Sequence, residues 1–319
     1  MSIAVVLIGR NEGTRLLASL ASLSGRGLRL VYVDSGSTDG SVAAARSAGA
    51  EVVELDTATP FTAARARNAG FLALGDDLPD AVQFIDGDCI VVPGWIDRGV
   101  AALMADDSIG LVTGWRSEIH PEASVYNALC DHEWHRPAGD ILACGGDMMV
   151  RCQAYRQVGG FDARVIAAED DEFCQRLRKA GWRLIRLPEA MTLHDAAMMR
   201  FGQWWRRAVR SGHGFAQVGD LHPGYFARER ARVWVYGLML PLVALVGLVW
   251  WPAILVVLVA YALSYVKSVQ GLVREGMEWR RALHHGVFLT LSKFPNLIGM
   301  LTYALRKRRG AAMRIIEYK

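Results

Sequence analysis

Short apolar runs alternate along the first two thirds of the chain with stretches whose apolar residues recur every three or four positions. The runs are IAVVLIG (3–9), LRLVYVD (28–34), EVVELD (51–56) and VQFID (82–86). They show little period-two alternation, the mark of strands covered on both faces. Between them, Leu16, Leu17, Leu20 and Leu23 are placed on one face of a helix, SVAAARSAG and TAARARNAGFLAL continue the series, and a further helix is expected after Pro93. The pattern predicts an α/β fold with a Rossmann-like, mostly parallel sheet between helical layers. Ligands of such sheets bind beyond the carboxyl ends of the strands. Those ends carry Gly9-Arg10-Asn11-Glu12, Asp34-Ser35-Gly36-Ser37-Thr38-Asp39 and Asp86-Gly87-Asp88.

After Arg232 the pattern changes. Residues 233–266 contain no charged side chain. A bilayer span takes about 20 apolar residues, so this run is too long for one upright helix. It predicts a transmembrane helical hairpin over 233–273 that turns near Trp250, Trp251 and Pro252; one long helix buried in a soluble core is the alternative. A third apolar stretch, Leu283–Leu305, is interrupted by Lys293, Pro295 and Asn296. If it crossed after a hairpin, Arg306-Lys307-Arg308-Arg309 would lie outside, against the positive-inside tendency. It therefore reads as interfacial or re-entrant, within a cytoplasmic or interfacial segment 274–319.

Composition and charge sharpen this picture. The 319 residues are 52% hydrophobic with a net charge of +4. The arginines cluster before the hairpin (Arg206, Arg207, Arg210, Arg228, Arg230, Arg232), making 216–232 a basic interfacial linker. Basic residues beside lipid-length runs favour anionic headgroups at a cytoplasmic surface, and no nucleic-acid partner is expected. The chain opens directly on a strand, without the order of a cleavable signal, which places the polar part in the cytosol. The five cysteines lack metal-ligand spacing and read as thiols in a reducing compartment.

No G-x-G-x-x-G follows the first strand and no G-x-x-x-x-G-K-S/T occurs, which argues against dinucleotide-binding Rossmann and P-loop enzymes. Asp86 and Asp88 flank Gly87, and two carboxylates so close repel unless a positive charge joins them. Mg²⁺ typically takes one or two carboxylates together with substrate phosphates, and a residue without Cβ lets a diphosphate approach. A solvated acidic turn is the bland reading. Asp34 and Asp39 suit a capping turn before Gly40-Ser41, and Asp34 suits a ligand contact as well. Glu169, Asp170, Asp171 and Glu172 open a helix that carries Phe173, Leu177 and Ala180 on one face and stops at Gly181. The helix dipole alone would favour acids there. The strand WRLIRL is expected to end at Leu187, before Pro188, and His194 follows it; a lone histidine there reads equally as a structural hydrogen-bonder.

The ordered set N-E, VDSGSTDGS, ARARNAG, DGD, ACGGDMMVR, VGGFD, AEDDEFCQRLRKAGWRLIRL, LHD and QWWRR resembles the family-2 glycosyltransferases of the GT-A fold, over residues 3–215. The apolar hairpin and the closing IIEYK look like membrane-anchored bacterial members that build exopolysaccharides or other lipid-linked glycans. The resemblance implies a GT-A catalytic domain over 1–215 and an inverting enzyme that uses Mg²⁺ or Mn²⁺. A sugar would pass from a nucleotide donor, a UDP-sugar, to a lipid-linked (polyprenyl-diphosphate) acceptor at the cytoplasmic face of the inner membrane. Asp88 would ligate the metal and Asp86 would touch the ribose or the metal through water, with His194 offering a metal or diphosphate contact. Asp34 and Glu12 would meet the nucleoside, and Arg67 the base or diphosphate. Gly146 and Asp147 would floor the donor-sugar pocket, with Trp115 and Arg116 bordering the acceptor. Gln203, Trp204, Arg206 and Arg207 resemble a Q-x-x-R-W element, but Arg207 replaces its closing indole. Asp170 would be the general base, with Asp171 one register away. Two other readings are a polyprenyl-phosphate glycosyl synthase, whose acceptor needs no base, and an inactive membrane scaffold, which has no use for Asp86, Asp88 and Asp170 together.

Overall fold

The computed structural model describes residues 1–317; Tyr318 and Lys319, which close the IIEYK motif, lie outside the described residues. The chain divides into two compact units, one of Met1–Ala123 with Cys130–Ala197, the other of Ser124–Leu129 with the residues from Met198 onward. The boundary expected near residue 215 thus lies inside the second unit.

The first unit runs β1 (Ile3–Gly9), α1 (Thr14–Leu23), β2 (Arg29–Asp34), α2 (Ser41–Ser47), β3 (Glu51–Glu54), α3 (Ala63–Ala73), β4 (Ala81–Asp86), β5 (Cys89–Val91), α4 (Trp95–Ala105) and β6 (Ile109–Glu118). After α5 (Val125–Trp134) come β7 (Gly139–Asp140), β8 (Met148–Arg151), α6 (Cys152–Gln157), α7 (Glu169–Lys179) and β9 (Arg183–His194). The nine strands form one sheet in the order β3-β2-β1-β4-β8-β6-β9-β5, with β7 beside β9. Strands β3, β2, β1 and β4 are mutually parallel, β8 runs against both β4 and β6, and β6 and β9 are parallel again. The sheet is therefore mixed but mostly parallel in direction, as the apolar runs predict.

Residues of β1 feed both faces by simple alternation. Ala4, Val6 and Ile8 join Val31, Val33, Phe84, Phe161 and Phe173 on one side. Val5 and Leu7 join Leu16, Leu20, Leu23, Trp95 and Leu103 on the other. Leu17 departs from the expected face and is exposed. With Leu16, Leu20 and Leu23 fixing the buried stripe at i, i+4 and i+7, position 17 turns about 100° away.

The strand expected to stop at Leu187 instead continues to His194 as the twelve-residue β9. Pro188 does not end it. The pairing with β6 jumps from Thr113↔Arg186 to Trp115↔Ala190, so the proline sits in a bulge where no ladder donor is required.

The second unit is helical: α8 (Phe201–Leu221), α9 (Ala227–Trp234), a π-turn (Val235–Met239), α10 (Leu240–Val246), α11 (Pro252–Arg274), α12 (Trp279–Leu291) and α13 (Lys293–Arg308). The chain reverses between Val246 and Pro252, around the expected tryptophans. Among the described residues, Pro252–Arg274 is the one helix long and apolar enough to cross a membrane. The preceding limb starts in the charged ARER of α9, and its uncharged part is broken by the π-turn. The third apolar stretch is two helices that meet at Ser292. Pro295 lies in the first turn of α13, where a missing N–H costs no hydrogen bond. Helices α8 and α13 pack backbone to backbone: a Cβ at Gly212 would lie 2.0 Å from the Asn296 carbonyl oxygen, so glycine alone allows this crossing.

Candidate active site

Strand register explains how residues distant in sequence reach one edge of the sheet. Gly9 is paired with Asp34 and Ile8 with Asp86, so the ends of β1, β2 and β4 are level. Because β8 is antiparallel to β4 with Phe84 opposite Met148, the residue before β8, Asp147, lies at the same edge. Cys89 of β5 and Glu118 of β6 both pair with His194 of β9, which brings Asp88, Glu118 and His194 together.

Two loops close one side of this edge. The carboxylate of Asp34, 2% exposed, accepts from the Gly36 and Ser37 amides at 2.9 and 2.7 Å and from the Tyr32 and Ser37 hydroxyls. The expected turn is thus built around Asp34 itself. Asn11 adopts a left-handed backbone (φ 54°), which Asn tolerates, and its side-chain carbonyl accepts from Thr38 N at 2.7 Å. Asp39 accepts from Gly13 N and Ser41 N, lacing the β1 loop to the start of α2. Glu12 is paired with Arg15 at 2.9 Å.

The two carboxylates either side of Gly87 have separate cationic partners. Asp86 receives Arg67 at 2.8 Å on one oxygen and Arg116 at 3.2 Å on the other. Burial opposes its charge, but the two guanidinium groups hold its carboxyl below the usual carboxylate range. Asp88 is buried and meets Nε2 of His194 at 3.3 Å. Beyond the imidazole stands Glu118, with Oε2 3.9 Å from Nδ1. Burial works against both, yet Asp88 and Glu118 raise the His194 pKa, while His194 and the Ala196 and His120 amides lower that of Glu118.

Arg67 is fully enclosed. Besides Asp86 it grips Glu169 at 2.8 Å, and these carboxylates hold it charged despite its burial. A Cβ at Gly146 would stand 2.3 Å from the Arg67 guanidinium and 3.1 Å from Asp86, so the glycine is required by this ion pair. Asp147 accepts from Arg116 at 2.8 Å, from Thr192 Oγ1 at 2.7 Å, and from the Asp86 amide. Arg116 also lies over the ring of Trp134, which meets His194 edge-on at 4.7 Å.

Asp170 occupies the first turn of α7, half-buried between Glu169 and Asp171. Burial and then these neighbouring carboxylates raise its pKa well above the ordinary aspartate value. The preceding Ala168 is held at φ 58°, a strained conformation for alanine at the entrance to this acidic turn.

The first unit thus brings together Arg67, Asp86, Asp88, Gly146, Asp147, Glu169 and His194, with the Glu12 and Asp34 loops at the same sheet edge. Trp115 is half-buried, its indole N–H donating to the Arg136 carbonyl at 2.8 Å. Arg116, expected beside the acceptor, is instead paired with Asp86 and Asp147, and the remaining expected acceptor residues belong to the second unit. Gln203 caps α8 by accepting from Met199 N and Arg200 N; Trp204 is buried between Tyr126 and Phe288; Arg206 is exposed and Arg207 half-buried. Glu118 and Thr192 join the cluster without any local signal, because only the β6–β9 pairing brings them in, and Trp134 joins from the end of α5.

The donor set suits a hard divalent cation. Asp88 offers a carboxylate oxygen and His194 a nitrogen close enough to share one ion, whereas Asp86 falls in a second cluster with Asp147; the other nitrogen of the imidazole has the buried Glu118 carboxylate 3.9 Å away. The Cys89 thiol lies among them, but burial raises its pKa far from the thiolate a soft metal would need.

A mixed, mostly parallel sheet of this kind is the fold of the GT-A sugar transferases. Two family models match, "Glycosyl transferase family 2" over residues 4–158 and "Glycosyl transferase family group 2" over 131–304. The chain belongs to the family-2 glycosyltransferases and is a transferase. It is similar to a pre-mycofactocin glycosyltransferase of Mycobacterium tuberculosis, 29% identical over 69% of this chain and 48% of the relative. It therefore spans about half the length of that protein. It is also similar to the N-acetylglucosaminyl-diphospho-decaprenol L-rhamnosyltransferase of the same organism, 28% identical over 57% of this chain and 71% of the relative. Among solved structures, the fold matches a mannosyltransferase, PcManGT from Pyrobaculum calidifontis, in complex with GDP-Man and Mn2+. That match has a TM-score of 0.61 at 19% identity and covers 96% of this chain and 87% of the other. S. aureus TarS in complex with UDP-GlcNAc matches with a TM-score of 0.52 at 16% identity, over 98% and 93%.

Proposed function

We propose that the enzyme transfers a sugar, with inversion, from a UDP-sugar to a hydroxyl of a lipid-linked glycan at the cytoplasmic face of a membrane. The observation that carries this reading is the paired bracket at the sheet edge: Asp86 held by two arginines and Asp88 by His194, with Arg67 joining Asp86 to Glu169, the neighbour of a half-buried acid on α7. One relative supports the lipid term by its decaprenol-linked acceptor; of the fold neighbours one holds UDP-GlcNAc and another GDP-Man, which supports a nucleotide-sugar donor.

In this reading Asp88 and His194 would hold Mg²⁺ or Mn²⁺, with Asp86 reaching it through water, and the ion when bound would neutralise the diphosphate of the donor. The Asp34 loop and Glu12 receive the nucleoside, and Asp86 accepts a ribose hydroxyl. Gly146 and Asp147 floor the sugar pocket, and Arg67 fixes the position of both Asp86 and Glu169. Asp170 takes the proton of the acceptor hydroxyl as that oxygen bonds to the anomeric carbon. The opposite bond, from that carbon to the diphosphate oxygen, breaks, and its electron pair leaves with the nucleoside diphosphate. The raised pKa of Asp170 suits a base, since a more basic carboxylate removes the proton more readily. Trp115 serves the acceptor side, and α11 holds the enzyme at the membrane.

The test is a panel of UDP- and GDP-sugars offered with bacterial membrane extract to the purified enzyme in nanodiscs, with Mn²⁺ or with EDTA. Transfer from a UDP-sugar that disappears in EDTA is expected. Undiminished transfer in EDTA, or use of GDP-sugars alone, overturns the metal or the donor term respectively.

A further inference from the structure

Within the second unit a cavity of about 530 Å³ opens between α11, α12 and α13, walled by Tyr261, Tyr265, Val287, Leu291 and Phe294. It contains three hydroxyl groups, and each is turned into the protein. Tyr261 donates to the Tyr236 carbonyl, Tyr265 to the Leu283 carbonyl at 3.1 Å, and Thr290 to the Gly286 carbonyl at 2.9 Å. The wall that remains is hydrocarbon and aromatic face. A polar ligand would find no partner there, and water in an open apolar groove is the less favourable occupant.

Three further observations narrow the occupant. The groove is cut into α11, the helix that is long and apolar enough to cross a membrane, and Leu255, Val256, Leu258 and Val259 of that helix are exposed. A molecule reaching the groove from hydrocarbon surroundings has a hydrocarbon chain. Next to Phe294 in the sequence stands Lys293, which begins α13, and Arg232 and Glu229 are the charged groups that act on it, two cations against one acid. A net positive charge beside an apolar groove complements a chain that ends in an anionic phosphate. Tyr261, Tyr265 and Phe294 present ring faces and edges to a chain of planar, methyl-branched units.

The geometry points to this groove as the site that takes the polyprenyl chain of the phosphorylated lipid acceptor. The assignment rests on the reading of a lipid-linked acceptor given above and adds where the lipid is held. It makes chain length, and not only the glycan, a determinant of acceptor use.

The test compares two acceptors that carry the same glycan diphosphate, one on a long polyprenyl chain and one on a geranyl chain. The full chain is used in phosphatidylcholine nanodiscs, as wild type and as Ala262→Trp, which places an indole in the groove. The wild type is expected to have the lower KM for the long chain. Ala262→Trp is expected to raise that KM about tenfold, as loss of a few buried methylene groups implies, and to leave kcat and the geranyl acceptor unchanged. A folded variant, judged by circular dichroism, with an unchanged KM overturns the assignment. An equal rise for both acceptors overturns it in favour of a bilayer phospholipid in the groove. If neither acceptor receives sugar, the lipid-acceptor reading fails, and the groove is then judged by photolabelling with a diazirine-bearing polyprenyl phosphate. Labels within residues 261–265 and 287–294 support it, and labels confined elsewhere overturn it.

Discussion

Arg67 in the first unit and His213 in the second are both buried bases, at 2% and 0% exposure, and the surroundings treat them in opposite ways. Arg67 is bracketed by Glu169 and Asp86 and stays charged. His213, on α8, has neither ring nitrogen hydrogen-bonded, lies edge-on to Tyr303, and is driven neutral, with burial and then Arg306 pushing its pKa down to about 4. The difference separates two uses of the interior. In the first unit charge is retained by pairing, and the pairs lie at the sheet edge where a diphosphate would arrive. In the second unit close helix packing, set by Gly212 and Gly299, takes precedence over satisfying a side chain.

The comparison is broken most severely by removing the acid whose environment is tuned. Asp170→Asn is expected to lower kcat by a factor of about 10²–10⁴, the usual worth of a general base. The base must be ionised, and its pKa is raised, so wild-type kcat/KM should climb with pH through a midpoint above the ordinary aspartate range. That acid limb should vanish from the residual activity of the variant. Retention of most activity would favour the polyprenyl-phosphate synthase reading, in which the acceptor needs no deprotonation.

Next in size is the buried arginine. Arg67→Met leaves Glu169 enclosed without its guanidinium, and breaking such a pair costs about 3–5 kcal/mol. A chemical-denaturation curve in detergent should show the loss. A change within experimental scatter would mean that the carboxylates, not the arginine, order this edge.

His213 gives the complementary result, read as a pH dependence of stability. Its folded pKa lies below its unfolded value, so the unfolded chain binds the proton first. Stability is therefore complete above about pH 6.5 and declines as pH falls toward about 4, by up to about 3 kcal/mol. His213→Leu should remove that decline and be close to neutral at pH 8. Asp220, which accepts from Lys307 and Tyr303 on α13, has its pKa lowered by those hydrogen bonds and titrates below this window, so the decline is read as the difference between variant and wild type.

These residues were not equally visible in the sequence. Asp86 and Asp88 were legible because a strand end, a glycine and two acids form a local pattern. The chain reversal before Pro252 was legible because length and tryptophans mark it. The faces of helices were less so: Leu17 shares the composition of its neighbours and differs only in angle. The expected break after Leu187 failed because a bulge absorbs Pro188 and lets the strand deliver His194. Glu118, Thr192 and Asp147 converge through β8, which runs against its neighbours, and through a β6–β9 register spanning a long separation. No window of sequence contains that information. The resemblance to family members placed Asp147 and His194 at the site, but gave no hint of the carboxylate behind the imidazole.

That carboxylate supplies the finest test of the contrast between paired and unpaired buried groups. Glu118 is fixed by the Ala196 and His120 amides and stands 3.9 Å from Nδ1 of His194, whose Nε2 faces Asp88. If it orients and polarises the imidazole, Glu118→Gln should weaken Mn²⁺ binding about 10–100-fold, the usual effect of a carboxylate behind a metal-ligating histidine. Titration of the Mn²⁺ electron paramagnetic resonance signal without donor isolates this from turnover. Thr192→Val, which removes a hydrogen bond to Asp147 and leaves His194 untouched, should move the affinity far less. Equal affinities in Glu118→Gln and wild type would place Glu118 with His213, as a polar group tolerated by packing. A selective loss would mean that the first unit keeps its buried charges to define where a cation sits.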